Sequence, residues 1–301
     1  MHPTLFHIFS FPVPSYGTML AISFLTGIFV ARHIAKKRGL DPDVIYDLGL
    51  YVIIAAIVGA RAYYVMTHFD EFRGNLLSIV NPINNGQIGI NGLVMYGGFI
   101  AAIITAAAYF KIKKLATLTY LDTCSTGVGF GIAITRIGCL MNGCCYGMAT
   151  NAAYWLQYPN NGSPASYYQR NHAMHTGLNI DCSGSFGHTL LPSQLFESAG
   201  GIAIATIVIL AGRSKRYFAG LQIYLLIALY AALRYFIEMT RYIETTKIGP
   251  FSHNQIICMV TFVIFGALIV RGLIRGNTRG EDNGTGNGNA AAKKSGKKAR
   301  K

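Results

Sequence analysis

The sequence predicts an all-α polytopic membrane protein with about seven transmembrane helices, and three observations carry that prediction. Of the 301 residues, 52% are hydrophobic and only 13% charged, with a mean hydropathy of +0.37. Soluble domains carry roughly 25% charged residues. Apolar runs of about 20 residues recur, each long enough to cross a ~30 Å hydrocarbon core as a helix. Between the runs, basic residues gather on alternate loops, which is how membrane proteins encode their orientation.

Taken in order, the spans are expected near residues 16–35, 46–66, 93–110, 119–141, 193–211, 218–239 and 253–270. Residues 1–15 lack a basic segment followed by an apolar stretch and a small-residue cleavage site, so no cleavable leader is expected. Arg32, Lys36, Lys37 and Arg38 follow the first span, Lys111, Lys113 and Lys114 the third, and Arg213, Lys215 and Arg216 the fifth. With the residues from Arg271 onward, nineteen of the 26 basic residues fall on one side, against Arg73, Arg170, Arg241 and Lys247 on the other. That asymmetry places the C-terminus in the cytoplasm and the N-terminus outside.

Two long loops, 67–92 and 142–192, then face the exterior. Turn signals such as Tyr158-Pro-Asn-Asn-Gly-Ser-Pro164 suggest that the second is a small ordered external domain. Residues 1–275 read as one membrane domain. Residues 276–301, rich in Gly, Asn, Lys and Ala, read as a disordered basic cytoplasmic tail. A net charge of +14 invites a nucleic-acid reading. Basic residues confined to short loops and a tail fit anionic lipid headgroups instead, and no nucleic-acid partner is expected.

The fourth span is rich in glycine, with Gly127, Gly129, Gly131 and Gly138. It lacks the preceding strand and the spacing of a dinucleotide fingerprint, so close helix–helix approach explains it better. Six cysteines (124, 139, 144, 145, 182 and 258) show no paired zinc-finger spacing. No metal and no cofactor is expected from them. Cys124 and Cys258 read as core residues. Cys139, Cys144 and Cys145 leave three readings open: packing, a loop disulfide with Cys182, or a reactive thiol beside Arg136.

Chemistry is sought among residues that are costly in a membrane. An arginine at the bilayer centre costs ~3 kcal/mol on insertion scales, so each needs a partner or a task. Arg61, Arg136 and Arg234 all fall in spans, and three guanidinium forks near one face match a phosphate, which at that depth belongs to a phospholipid headgroup. Arg234, Glu238 and Arg241 are spaced i, i+4 and i+7, one stripe of a helix, with Glu238 placed to neutralise either arginine. Asp122 shares the Arg136 face but lies almost four turns deeper, a position for a structural residue or one that supports the site from behind. Tyr16 and Tyr96 open the first and third spans at the external interface, and Gly97-Gly98 allows close approach beside Tyr96.

These stretches together resemble the prolipoprotein diacylglyceryl transferase family. The resemblance rests on Tyr16-Gly17, Gly59-Ala-Arg61-Ala-Tyr-Tyr, Gly92-Leu-Val-Met-Tyr96-Gly-Gly98, Asp122, and Thr135-Arg-Ile-Gly-Cys-Leu-Met-Asn-Gly-Cys-Cys-Tyr-Gly147. It continues through Gly162-Ser-Pro164, Leu191-Pro-Ser-Gln194-Leu-Phe-Glu197 and Arg234 to Arg241. The resemblance implies that the diacylglyceryl group of phosphatidylglycerol passes to the lipobox cysteine thiol of a preprolipoprotein. A thioether forms and glycerol phosphate leaves, in a bacterial cytoplasmic (inner) membrane with the active site facing outward.

By position, Arg136 and Arg234 would hold the phosphate, with Glu238 orienting Arg234. Asn142 and Gly147 would shape the headgroup pocket, Tyr16 and Arg241 would line it, and Tyr96 or an arginine-polarised route would handle the thiol proton. Where well-studied relatives carry a histidine before the glycine pair, this chain has Tyr96. Cys139 replaces an asparagine, Cys144 an acidic residue, and Leu191-Pro192 a His-Pro pair, with His188 three residues upstream. The Gly-Cys-Cys-Tyr-Gly version marks a branch of the family. A non-catalytic phospholipid-binding or transporter-like member is the competing expectation.

Overall fold

The computed structural model describes residues 2, 4–8, 11–72, 83–84, 87–88, 94–148, 156–159, 186–214, 217–241, 247–248 and 250–275. Seven α-helices lie within them: α1 (Ser15–Lys37), α2 (Asp43–Thr67), α3 (Met95–Ile112), α4 (Thr117–Asn142), α5 (Ser193–Ala211), α6 (Leu221–Thr240) and α7 (His253–Ile274). Each coincides with an expected span to within a few residues. Six are long and apolar enough to cross a membrane; α3 is shorter. The chain is therefore a multi-pass helical membrane protein.

Its surface is inverted relative to a soluble fold. Large apolar side chains such as Leu25, Phe29, Phe99, Ile104, Ile257 and Val263 are exposed, whereas Asp122, Ser125, Gln194, Glu197 and Gln222 are buried. In lipid the outer face gains nothing from being polar, and polar side chains stabilise contacts between helices instead.

Short antiparallel pairs, absent from the sequence reading, flank the helices. Thr4–Ile8 pairs with Phe11–Pro14 before α1, Leu156–Pro159 with Phe186–Leu190 before α5, and Lys247–Ile248 with Phe251–Ser252 before α7. Between α2 and α3, Phe69–Phe72 forms a 3-10 turn and Ile83–Asn84 pairs with Gln87–Ile88. Most of the expected external domain at 142–192, including Gly162-Ser-Pro164 and Cys182, lies outside the described residues, as does the tail 276–301.

Helix α4 is the axis of the bundle, packed along α1, α5 and α6, while α2 pairs with α3 and α6 with α7. Its glycines explain how. A Cβ on Gly127 would come within 2.4 Å of the Gly27 carbonyl oxygen in α1, and one on Gly129 within 2.9 Å of Ala205 Cβ in α5. At the α2–α3 crossing, a Cβ on Gly97 would meet the Gly59 carbonyl oxygen at 2.4 Å. Gly127→Val should therefore destabilise the bundle by about 1–3 kcal/mol through overpacking. A lowered melting temperature in detergent is the expected readout, and unchanged melting would remove the close-approach reading.

At the end bearing the loop cations, Ala31, Ala35, Ile45, Leu48, Tyr109, Phe110 and Tyr120 close a core between α1, α2, α3 and α4. Asp122 is fully buried there and acts across the chain. Its Oδ2 accepts hydrogen bonds from Tyr217 Oη (2.7 Å) and the Gly220 N–H (2.8 Å), and its Oδ1 accepts one from the Ile223 N–H (2.9 Å). A carboxylate from α4 thus satisfies donors at the start of α6 that no local side chain caps, and its charge suits a helix N-terminus. The structural role expected of Asp122 has this specific form. Arg38 completes the clamp, donating to Thr123 and Gln222 and stacking on Tyr217. Asp122→Ala removes the acceptor of three hydrogen bonds and should cost about 3 kcal/mol. The check is a lowered melting temperature in detergent, and unchanged melting would remove the clamp.

Candidate functional site

The opposite end of α4 meets α5, α6 and the start of α7, and charged residues converge there. Arg136 and Arg234, each with only 19% of its side chain exposed, are joined by one carboxylate, Glu197 of α5. Arg136 Nη2 lies 2.9 Å from Glu197 Oε1, and Arg234 Nη1 lies 3.7 Å from Glu197 Oε2. Tyr230 donates its hydroxyl to Glu197 Oε1 at 3.1 Å and is hydrogen-bonded to Arg136. Glu197 belongs to the motif at residues 191–197, and no role follows for it from the sequence pattern. Its signal was present, since it is the one acidic residue in an apolar run and needs a cationic partner as much as an arginine does.

Glu238 behaves as the i, i+4 spacing predicts, with its Oε2 3.2 Å from Arg234 Nη2. Its other oxygen accepts from Asn254 Nδ2 (2.8 Å) and Ser252 Oγ (3.5 Å), so the N-terminus of α7 fixes this carboxylate. Ser252 also closes a reciprocal cap with Gln255, which anchors that turn. The stripe does not extend to Arg241. Helix α6 ends at Thr240 and Arg241 has an extended backbone (φ −100°, ψ 136°), so it leaves the helical face and turns towards the loop thiols. The expectation of an unbroken stripe is corrected on that point.

The remaining expected residues divide. Tyr16 lies beside the end of α4, its Cα 3.6 Å from where a Gly138 Cβ would stand, with Arg136 and the cysteines as electrostatic neighbours. Asn142 is the last residue of α4, and its side chain is hydrogen-bonded to the Cys144 sulfur. Gly147 sits at a crossing of three segments: its N–H donates to Leu191 O, and a Cβ there would meet Leu191 Cβ and Thr240 O, each at 2.7 Å. No side chain fits, which is why the loop can pass between the start of α5 and the end of α6. Tyr96 stands apart. It is 65% exposed on α3, a helix packed against α2, and no hydrogen bond among the described residues joins it to the arginines. Arg61 lies over the rings of Tyr64 and Phe72, so the carboxylate bridge joins two of the three arginines that the sequence grouped.

After α4 the chain turns on Gly143 in the left-handed region (φ 72°), with the Cys144 N–H returning to Cys139 O at 3.0 Å and the Gly143 N–H to Leu140 O at 3.1 Å. That double closure ends a helix tightly and folds the loop back over its last turn. Gln194, buried on α5, holds the Cys144 carbonyl at 2.7 Å. As a result Cys139, Cys144 and Cys145, all free thiols, gather within 4.8 Å of one another. Arg136 Nη1 reaches Cys139 Sγ at 3.9 Å. Hydrogen bonds donated by the Cys139 and Cys144 thiols, with Arg241 and Arg136 nearby, hold the Cys145 thiol below its ordinary range.

A cavity of about 390 Å³ leads into this cluster. Apolar residues of α1, α2 and α4 line it, among them Leu20, Phe24, Ile28, Val52 and Val128, and it ends at Thr135, Arg136 and Tyr230. From Cys124 to Arg136 it follows α4 for ~18 Å. Such a space takes hydrocarbon along its length and an anion at its arginine end. Arg234 Nη1 is buried with no hydrogen-bond acceptor among the described residues, a donor left open at that end. Three arginines (136, 234, 241) against two glutamates (197, 238) leave a net charge of one positive, the complement of one phosphodiester.

Fold and site together define a multi-pass membrane protein whose helix bundle ends in an arginine pair, sharing one carboxylate, at the mouth of an apolar cavity. The family profile described as prolipoprotein diacylglyceryl transferase matches residues 3–271, and the chain belongs to that family. It is 29% identical over 274 residues to the phosphatidylglycerol–prolipoprotein diacylglyceryl transferase of Finegoldia magna, covering 91% of this chain and 94% of that one. It is 34% identical over 243 residues to phosphatidylglycerol–prolipoprotein diacylglyceryl transferase 1 of Clostridium perfringens, covering 80% and 83% of the two chains. The Clostridium tetani enzyme is 27% identical over 264 residues, 88% and 95% of the chains. The expectation of a transferase stands on these relationships.

Proposed function

We propose that this protein transfers the diacylglyceryl group of phosphatidylglycerol to the lipobox cysteine of a prolipoprotein, at the Arg136–Arg234 end of the bundle. The observation that carries the reading is the arginine pair, bridged by Glu197 and lying at the polar end of an apolar cavity. In this reading an acyl chain lies along α4 and the phosphate sits between Arg136 and Arg234. Tyr16, Asn142 and Arg241 lie around the headgroup, Glu238 orients Arg234, and Gly147 keeps the rim compact.

The acceptor sulfur attacks the glycerol carbon that bears the phosphate. A C–S bond forms, the C–O bond breaks, and its electron pair leaves on the phosphate oxygen as glycerol phosphate. Guanidinium groups already aimed at that oxygen stabilise the developing charge without reorganising. The same cations lower the pKa of an approaching thiol, which favours the thiolate that attacks. Tyr96, exposed on α3 and without a hydrogen bond to the arginines among the described residues, is assigned no step in this reading.

Cation placement supports an N-terminus outside and a C-terminus in the cytoplasm, hence a site on the outer side of a bacterial cytoplasmic membrane. Arg38 and Lys111–Lys114 lie at the Asp122 end of the bundle, opposite Arg136. The test uses purified full-length protein in detergent with phosphatidylglycerol and a lipobox peptide. Thioether peptide and free glycerol phosphate are expected in equal amounts. Headgroup binding without product would leave a phospholipid binder and overturn the transfer.

A further inference from the structure

Three thiols at the end of α4 are unused by the scheme above. Cys139, Cys144 and Cys145 bring their sulfurs within 4.8 Å of one another. Tetrahedral zinc thiolates, with Zn–S near 2.3 Å, place sulfurs about 3.8 Å apart, so modest side-chain rotation closes the triangle. Two adjacent cysteines do not normally face one point, and the backbone here bends to make them do so. Cys145 has φ 63°, one of only two non-glycine residues with positive φ among the described residues. A left-handed conformation at such a residue costs ~1 kcal/mol or more and persists where the surroundings impose it. Those surroundings are on hand in the Gly143 turn and the Gln194 hold on the Cys144 carbonyl. Cys139 is buried, while Cys144 and Cys145 are half-buried, which leaves an entry side. Arg136 beside Cys139, and Arg241 near Cys145, would offset the net negative charge of three thiolates around a divalent ion.

We propose that Cys139, Cys144 and Cys145 form a three-thiolate site for a soft cation of the Zn²⁺ class, with its fourth position open to the acceptor thiol. Sulfur ligands select soft ions, and three protein ligands with one open position is the arrangement of working zinc sites. Each cysteine loses its proton on binding, and an acceptor thiol that takes the fourth position loses its own to solvent. The metal-bound sulfur then forms the C–S bond as the phosphate leaves; no oxidant or reductant is involved. Assigning the fourth position to the acceptor rests on the transfer reading above, whereas the three-thiolate site does not.

The test uses reduced, chelator-treated full-length protein, with Zn²⁺ for stoichiometry and Co²⁺ as the spectroscopic probe. One ion per chain and a thiolate-to-cobalt charge-transfer band are expected. Cys144→Ser and Cys145→Ser should each weaken binding by more than about 100-fold, since even partners that merely support ligands cost 10- to 100-fold. Cys258→Ser should leave binding unchanged. Zn²⁺ should also shield the two half-buried thiols, Cys144 and Cys145, of the unmutated protein from maleimide, a readout independent of whether the variants fold. Equal binding by wild type and by both the Cys144→Ser and Cys145→Ser variants, or no shielding, overturns the site.

A lipobox peptide should strengthen the charge-transfer band, and its Cys→Ser version should not. An unchanged band, or full-rate thioether formation by metal-free protein, overturns the acceptor assignment while the transferase reading stands. A protein that binds one ion but makes no thioether with or without it overturns the transferase reading and leaves the metal site in place.

Discussion

Arg136→Lys is expected to lower the rate of thioether formation by about 100- to 1,000-fold, the usual cost of removing one donor aimed at developing negative charge. The argument is geometric. Arg136 spends one nitrogen on Glu197 at 2.9 Å and another on Cys139 at 3.9 Å, while Tyr230 holds the guanidinium from a third direction. A planar fork can keep these partners and still face a phosphate; an ammonium on a flexible stem cannot. Charge is conserved in this substitution, so the Glu197 pairing and the fold should survive with a melting temperature close to wild type. Turnover near wild type would show that Arg136 is only an ion-pair partner. An unfolded variant would be recognised at once from its melting curve, and Arg136→Gln would then separate charge from shape.

The second large effect is on stability. Glu197 is 2% exposed and is the carboxylate shared by two half-buried arginines. Glu197→Gln keeps the side-chain shape but leaves Arg136 and Arg234 facing each other without their common counter-ion. Removing one partner from a buried ionic cluster typically costs 3–5 kcal/mol, because the uncompensated charge remains. A loss of about 3 kcal/mol is expected, measured as a fall in detergent melting temperature. Phosphatidylglycerol should restore part of it, since its phosphate supplies the missing negative charge. Unchanged melting would mean that Glu197 contributes no net pairing energy. Melting that falls but ignores the lipid would detach the arginine pair from the headgroup.

The contrast between the two glutamates shows what local spacing can reveal. Glu238 was legible because its partner is one helical turn away on the same element, where i and i+4 side chains must meet. Glu197 lies on a different helix from both of its arginines, so no spacing rule could connect them. Arg241 failed for a related reason: the i+7 position holds only while the helix continues, and α6 stops at Thr240. Asp122 was placed correctly as structural. Its partners, the Gly220 and Ile223 amides of another helix, emerged only from packing.

Composition and periodicity alone determined the class of this protein: apolar runs must be helices in lipid because every backbone polar group has to be satisfied within its own segment. That constraint is local, so it is written in the sequence, as are the glycines that let α4 run close to its neighbours. The motif order also sufficed to indicate the family. What only the tertiary structure decided is which charges share a carboxylate, that three cysteines of unremarkable spacing converge, and that Tyr96 does not join them. Those outcomes depend on helix rotation and on a loop reversal at Gly143, where contributions from distant segments compete within a few kcal/mol.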